Sequence, residues 1–252
     1  MADLMRQPQG AKEQTTLPQE TQKQVKPFVD YLVNLEKKYY DSTLKPFPVH
    51  EGEMRSKAEH YFVERYNLLI LGQKVLQEQF KKQEIGHEKF SPDSSFVKWE
   101  EKSLFGNDEL LIDKKTPLQE QIGLSWDFMD RAYAVARSLY AERKYEESLA
   151  AFHFLRFLNP AVFEYWFGEA CLLQELGKLE QAASIYNLSL TMQPNNPLVY
   201  FQIANCYSGL GDKESSLQAL DFCIDYAKSD AGLTILLERA EQIKQSLRAQ
   251  SI

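Results

Sequence analysis

From Gly123 to the end of the chain, apolar residues recur at helical spacing in short blocks separated by polar turns. Three blocks repeat in one frame. Tyr165, Trp166, Gly168, Ala170 and Cys171 lead through Leu176 and Gly177 to Ala182, Tyr186, Leu190 and Pro194. Thirty-four positions earlier stand Ser148, Phe152 and Pro160, and thirty-four later stand Ala204, Gly211, Ser216 and Leu220. Each block reads as a helix, a tight turn and a second helix.

A 34-residue helix pair with an early Trp, a turn Gly, small residues at the helix crossing and a closing Pro is the tetratricopeptide pattern. The predicted repeats are 129–162, 163–196 and 197–230, with Ala136, Ala170 and Ala204 where paired helices approach closely. Ser148, Ala182 and Ser216 supply the matching small residues on the second helices. Gly177 and Gly211 free two turns, whereas Arg143 stands at the equivalent place in the first repeat. Lys228 replaces the closing Pro of the third. Beyond it, Leu233, Leu236, Leu237, Ala240, Ile243 and Leu247 form one apolar stripe, the pattern of a capping helix that seals a solenoid.

The rest of the chain reads differently. Residues 1–26 are rich in Gln, Thr, Lys and Pro with little to bury, which predicts a disordered tail. Phe28, Tyr31, Leu32, Leu35 and Tyr39 predict a helix ended by Pro46 and Pro48. Residues 53–82 predict one long helix in which Phe62, Leu69 and Leu76 share a seam with Tyr61, Leu68 and Val75. That seam packs either within its own domain or against a partner. Between Gly86 and Lys115, Phe90, Phe96, Trp99 and Leu110 call for burial, as short elements or a pinned strap. Thr116, Pro117 and Gln119 mark a helix start with a capping box, Gly123 interrupts it, and Ser125 caps the next helix.

The prediction is an all-α chain: three tetratricopeptide repeats plus a capping helix, an α-solenoid, preceded by a helical N-terminal region. Its divisions are 1–26, 27–115 and 116–252.

Composition narrows the function. A net charge of -7 argues against nucleic-acid or anionic-membrane partners. Three Cys without CxxC spacing point to a reducing compartment and no metal site. No apolar run approaches a membrane span or a signal peptide, so a cytoplasmic protein is expected. His50, His60, His87 and His153 lack metal-ligand or triad spacing, and His153 on a repeat helix reads as structural. With no phosphate loop and no His beside Cys171, neither an enzyme nor a cofactor is expected.

A solenoid lines its inner wall with the first helix of each pair, at positions stepping by 3, 4 and 3. These are Asp130, Tyr133, Arg137 and Tyr140; then Glu164, Phe167, Cys171 and Gln174; then Leu198, Phe201, Asn205 and Ser208. Tyr133, Tyr140, Phe167 and Phe201 form a row of rings with no internal partner evident from the pattern, interleaved with polar groups for a peptide backbone. The alternative for each ring is ordinary core. Arg137 is the wall's one cation, opposed by Asp130 and Glu164, which favours apolar anchors over a terminal carboxylate.

The segments GLSWDFMDRAYAVARSLY, KYEESLAAFHFLRFLNP and EYWFGEACLLQELGKLEQAASIYNLSLTMQPNNPLVYFQIANCYSGLGD resemble the bacterial type III secretion chaperones that bind hydrophobic translocator proteins. Tyr165, Trp166, Gly168, Ala170, Cys171, Leu176 and Gly177 match that family's middle repeat; Glu169 stands where it usually has an apolar residue. The resemblance implies a cytoplasmic holdase whose groove takes an extended hydrophobic segment of a secreted translocator or effector and keeps it soluble before export. It implies groove roles for Tyr133, Arg137, Tyr140, Phe167, Cys171, Phe201 and Asn205. It also implies a homodimer through the N-terminal helices, as family members often self-associate there. The competing reading is a repeat-protein adaptor or scaffold without holdase activity, such as a secretion-apparatus regulator.

Overall fold

The computed structural model describes residues 47–82, 116–121 and 123–249, with Lys26, Val29, Asp30 and Val33; at 47–50 only the backbone is described. Residues 1–25 of the predicted disordered tail and the strap of 86–115 lie outside the described residues, while Lys26, at the tail's end, is helical. The chain divides into two compact units, Met1–Phe128 and Met129–Ile252.

In the first unit, α1 spans Phe47–Lys82, starting earlier than the predicted Glu53. Pro48 sits in the first turn of α1, where its missing N–H leaves no bond unmade, and the end predicted at Pro46 for the preceding helix lies outside the described residues. Ala58, Val63, Leu69, Val75 and Leu76 are buried, so this single chain covers the core of the predicted seam itself. Val29 and Val33, helical and buried, cluster with Ala58 and Phe62; the predicted stripe of Phe28, Tyr31, Leu32, Leu35 and Tyr39 lies outside the described residues. Arg55 joins that contact by pairing with Asp30 at 2.5 Å and Glu51 at 3.0 Å. A short helix, α2 (Leu118–Gln121), follows. Gln121 Nε2 donates to the Thr116 carbonyl at 2.8 Å, and Gln119, the predicted capping-box residue, is buried.

The repeat helices run α3 (Trp126–Ala141), α4 (Tyr145–Leu158), α5 (Phe163–Glu175), α6 (Leu179–Ser189), α7 (Pro197–Gly209) and α8 (Lys213–Ala227). A 3-10 turn (Ala231–Leu233) leads into α9 (Thr234–Ala249). From α4 to α9 each helix packs on the next, as a solenoid requires. Ser125 caps α3 as predicted, its Oγ accepting from the Phe128 N–H at 3.1 Å.

Identical backbone reversals generate this order. Arg143 has φ 60°, Gly177 73° and Gly211 76°. In each, the next residue's N–H reaches back five positions, to Leu139 (2.9 Å), Leu173 (2.8 Å) or Tyr207 (2.9 Å), closing the helix with a left-handed residue. The Arg143 turn therefore matches the other two, and a Cβ bears a conformation that suits Gly.

Close packing follows the small residues. Ala136, Ala170 and Ala204 are fully or almost fully buried. Ser148 Oγ donates to the Ala136 carbonyl at 2.8 Å and Ser216 Oγ to the Ala204 carbonyl at 2.9 Å, so these serines bridge paired helices. Ala182 packs at the same place without a hydroxyl. Between repeats, the Trp166 indole N–H donates to the Pro160 carbonyl at 2.7 Å and the Tyr200 hydroxyl to the Pro194 carbonyl at 3.0 Å. The closing Pro and the next helix's aromatic thus act together. At the C-terminal end, Ala240 is buried and Leu233, Leu236, Leu237, Ile243 and Leu247 are half-buried, matching the predicted stripe.

Replacing Arg143 with Gly removes the strained Cβ at some cost in unfolded-chain entropy, and should raise stability by about 0.5–1 kcal/mol. Gly177→Ala should lower it by about 1 kcal/mol, although a Cβ there meets nothing within 4 Å, because the loss is conformational. Urea unfolding followed by circular dichroism reads both; equal midpoints for all three proteins would contradict the strain account.

Candidate functional site

The predicted inner-wall residues fall into three neighbourhoods. Tyr133, from α3, meets Phe152 of α4 edge-on at 5.8 Å and Tyr165 of α5 at 5.8 Å, with the Arg137 guanidinium 5.7 Å from its ring centre. Phe152 lies so close to α5 that a Cβ on Gly168 would stand 2.3 Å from its ring. That is why this helix carries Gly there. Burial first, then the Asp130 and Glu164 carboxylates, push the Tyr165 hydroxyl up to about 12.

The second neighbourhood joins α5 to α6. Phe167 is half-buried between Phe163, stacked at 5.6 Å, and Tyr186, edge-on at 5.5 Å. The Tyr186 hydroxyl lies 3.0 Å from Gln174 Oε1 and 3.2 Å from Cys171 Sγ. Burial raises the Cys171 thiol above its ordinary pKa, partly offset by that hydroxyl, which keeps the sulfur a neutral packing group. Tyr140 is 39% exposed and donates to Glu175 Oε1 at 3.3 Å, tying α3 to α5 across the surface.

In the third, Phe201 is buried and Arg239 of α9 stands 5.9 Å from its ring centre. Asn205 Nδ2 donates to Gln202 Oε1 at 3.1 Å, and Ser208 is exposed, its carbonyl accepting the Gly211 N–H at 3.1 Å.

The expectation that the inner rings lack an internal partner is corrected here. Tyr133 packs on Phe152 and Tyr165, Phe167 on Tyr186, and Phe201 is 6% exposed. These partners belong to neighbouring helices, and a pattern confined to one helix does not register them. Exposed apolar surface on the wall comes from Tyr140, Leu198 and the open side of Phe167, and exposed polar surface from Asp130, Arg137, Glu164 and Ser208. Tyr165, Tyr186, Glu175 and Arg239 were missed as site residues; the aromatic repeat position was the signal available for Tyr186.

Glu169, fully buried, has a specific account. Its carboxylate receives Arg156 Nε and, at 3.2 Å, Arg156 Nη2, and His153 Nδ1 lies 3.0 Å away. Arg156 Nη2 lies 3.0 Å from the same His153 nitrogen, so the three side chains meet at one point. Arg156 also covers the Trp166 ring at 4.4 Å, so its charge is neutralised on one side and stacked on another. An ionic cluster therefore joins the first repeat to the second, and His153 is buried within it. Among the described residues no group of His, Cys, Asp and Glu could hold a metal ion.

Two tetratricopeptide repeat family models match residues 163–196 and 198–230, so the fold is an all-α solenoid of this repeat class. Among solved structures, the chain is similar to PcrH of Pseudomonas aeruginosa in complex with the chaperone binding region of PopD: 26% identity, 52% of this chain, 98% of that one, TM-score 0.50. It shares its fold with a type III secretion complex from Aeromonas hydrophila, at 21% identity, 54% of this chain, 91% of that one and TM-score 0.52. The fold is shared too with the Yersinia enterocolitica chaperone SycD in complex with a peptide of the translocator YopD (19%, 52%, 99%, 0.50). The chain thus resembles the translocator chaperones of type III secretion. No curated protein matches it in sequence.

Removing Glu169 alone strands a buried guanidinium. Glu169→Ala should cost about 3–5 kcal/mol, while Glu169→Leu combined with Arg156→Met should recover most of that loss, since a well-packed apolar pair often equals a buried ion pair. A double-mutant cycle from urea unfolding measures the coupling; additive losses would show that the cluster does not act as a unit.

Proposed function

We propose that this protein is a type III secretion chaperone that holds an extended hydrophobic segment of a translocator or effector along the inner wall of its repeats. Binding keeps that client soluble and unassembled in the bacterial cytoplasm until export, without catalysis. The observation that carries the reading is the likeness to PcrH, whose solved complex contains the chaperone binding region of PopD. The wall's chemistry supports it: Tyr140 and Phe167 offer apolar surface, while Arg137, Gln174, Asn205 and Ser208 supply polar groups for a peptide backbone. Among the described residues no helix is long and apolar enough to cross a membrane.

In this reading residues 116–252 bind the client and residues 27–115 form an added helical region that modifies client choice or assembly. A homodimer through the N-terminal helices would use a face of α1 other than Leu69 and Leu76, which the chain itself buries. Each well-buried client side chain contributes about 1.5–3 kcal/mol, and ordering the segment removes much of that, so micromolar binding is expected.

Because Tyr133 and Phe201 are packed against neighbours, truncating them would confound folding with binding. The better variant is Tyr140→Ala with Phe167→Leu, which keeps an apolar group between Phe163 and Tyr186, beside Phe222→Ala as an exposed control. Each protein is purified from its native cytoplasm and the co-purifying chains are identified by mass. The parent and the control should bring down a hydrophobic secreted protein that the double variant retains about ten-fold less well or loses. The same partners on all three, or none on any, would remove the inner wall as the working surface.

A further inference from the structure

A cleft of about 400 Å³ opens in the second unit between α7 and the start of α9. Leu198, Phe201 and Gln202 form one side, and Ile235, Leu236 and Arg239 the other. Two of these are exposed apolar side chains, Ile235 at 82% and Leu198 at 42%. Ile235 precedes the half-buried Leu236 in the first turn of α9, and the core beneath does not use it. The cleft is at the small end of the range for ligand pockets, roughly 300–1,000 Å³, with room for one or two side chains.

Its polar groups define the occupant. Arg239 is the one charged residue lining it; its guanidinium rests near the Phe201 ring and makes no ion pair among the described residues. A guanidinium is a rigid fork that fits a carboxylate through two parallel hydrogen bonds. Gln202 accepts from Asn205 through Oε1, which leaves its amide N–H groups to donate to a peptide carbonyl. A purely apolar occupant would desolvate Arg239 with nothing in return, and one bearing Lys or Arg would add repulsion.

We propose that this cleft docks a short extended segment carrying a large aliphatic side chain next to an Asp or Glu. The aliphatic group fills the space between Leu198, Phe201 and Ile235, the carboxylate pairs with Arg239, and Gln202 holds the intervening backbone. This deepens the chaperone reading, on which it rests for the source of the segment: the wall's third-repeat end selects acid-flanked anchors, in contrast to the Asp130 and Glu164 end.

The test uses the full chain, isotope-labelled for amide NMR, titrated with acetyl-Ser-Gly-Leu-Asp-Gly-Ser-amide and with analogues bearing Leu-Lys or Ser-Asp at the centre. With the Leu-Asp peptide, shifts should concentrate at Leu198, Phe201, Gly232 and Ile235. The Leu-Lys peptide should bind about five-fold more weakly and the Ser-Asp peptide should leave these amides unmoved. Arg239→Glu, a change at an exposed position, should reverse the order of the Leu-Asp and Leu-Lys peptides. Equal binding of those two, an order that Arg239→Glu leaves intact, shifts elsewhere, or no binding each overturn the proposal. Shifts confined to Tyr140 and Phe167 would overturn it while leaving the chaperone reading standing, and that reading fails separately if the co-purification experiment finds the same partners on every variant.

Discussion

The repeat half depends on a backbone reversal at residues 143, 177 and 211. Each reversal needs a left-handed residue, and each closes one helix with a bond reaching five positions back. With that geometry in place, the second helix returns along the first at a separation that Ala136, Ala170 and Ala204 permit, and Ser148 and Ser216 bind across the crossing. Stacking of successive pairs follows, because each pair leaves an apolar face that the next one covers. Arg143 shows the strength of this constraint: the surrounding packing holds a non-Gly residue in a conformation that costs it energy.

The joint between the first two repeats is built on a different principle from the other. Between the second and third repeats, a ring and a Pro carbonyl meet through Tyr200 and Pro194, and apolar residues fill the interface. Between the first and second, the same ring contact at Trp166 and Pro160 is joined by Glu169, Arg156 and His153. Buried ions contribute little net stability, yet a mismatched partner is costly there, so the cluster favours one register of the two repeats over others.

Much of the inner wall is support. Rings from alternate helices interlock behind it through Tyr133, Phe152 and Tyr165, and through Phe167 and Tyr186, which leaves fewer apolar groups facing outward than a helical wheel implies. Under the proposed chaperone reading, a client segment meets preformed shallow positions with polar groups between them, which limits the ordering cost to the ligand side.

By itself the sequence determined the repeat period, the turn positions, the small residues at each crossing and the division of the last helix into apolar and polar faces. All of these rest on interactions spanning a few residues, or on a periodicity that a short window contains. Only the tertiary structure decided which rings have partners, how a buried Glu169 is neutralised from thirteen and sixteen positions away, and that Arg239 stands beside Phe201. In the N-terminal half it also decided that Val29 and Val33 meet Ala58. The physical reason is common to these cases. The partners lie on separate helices, and their distances are set by how the helices stack, which no single-helix pattern encodes.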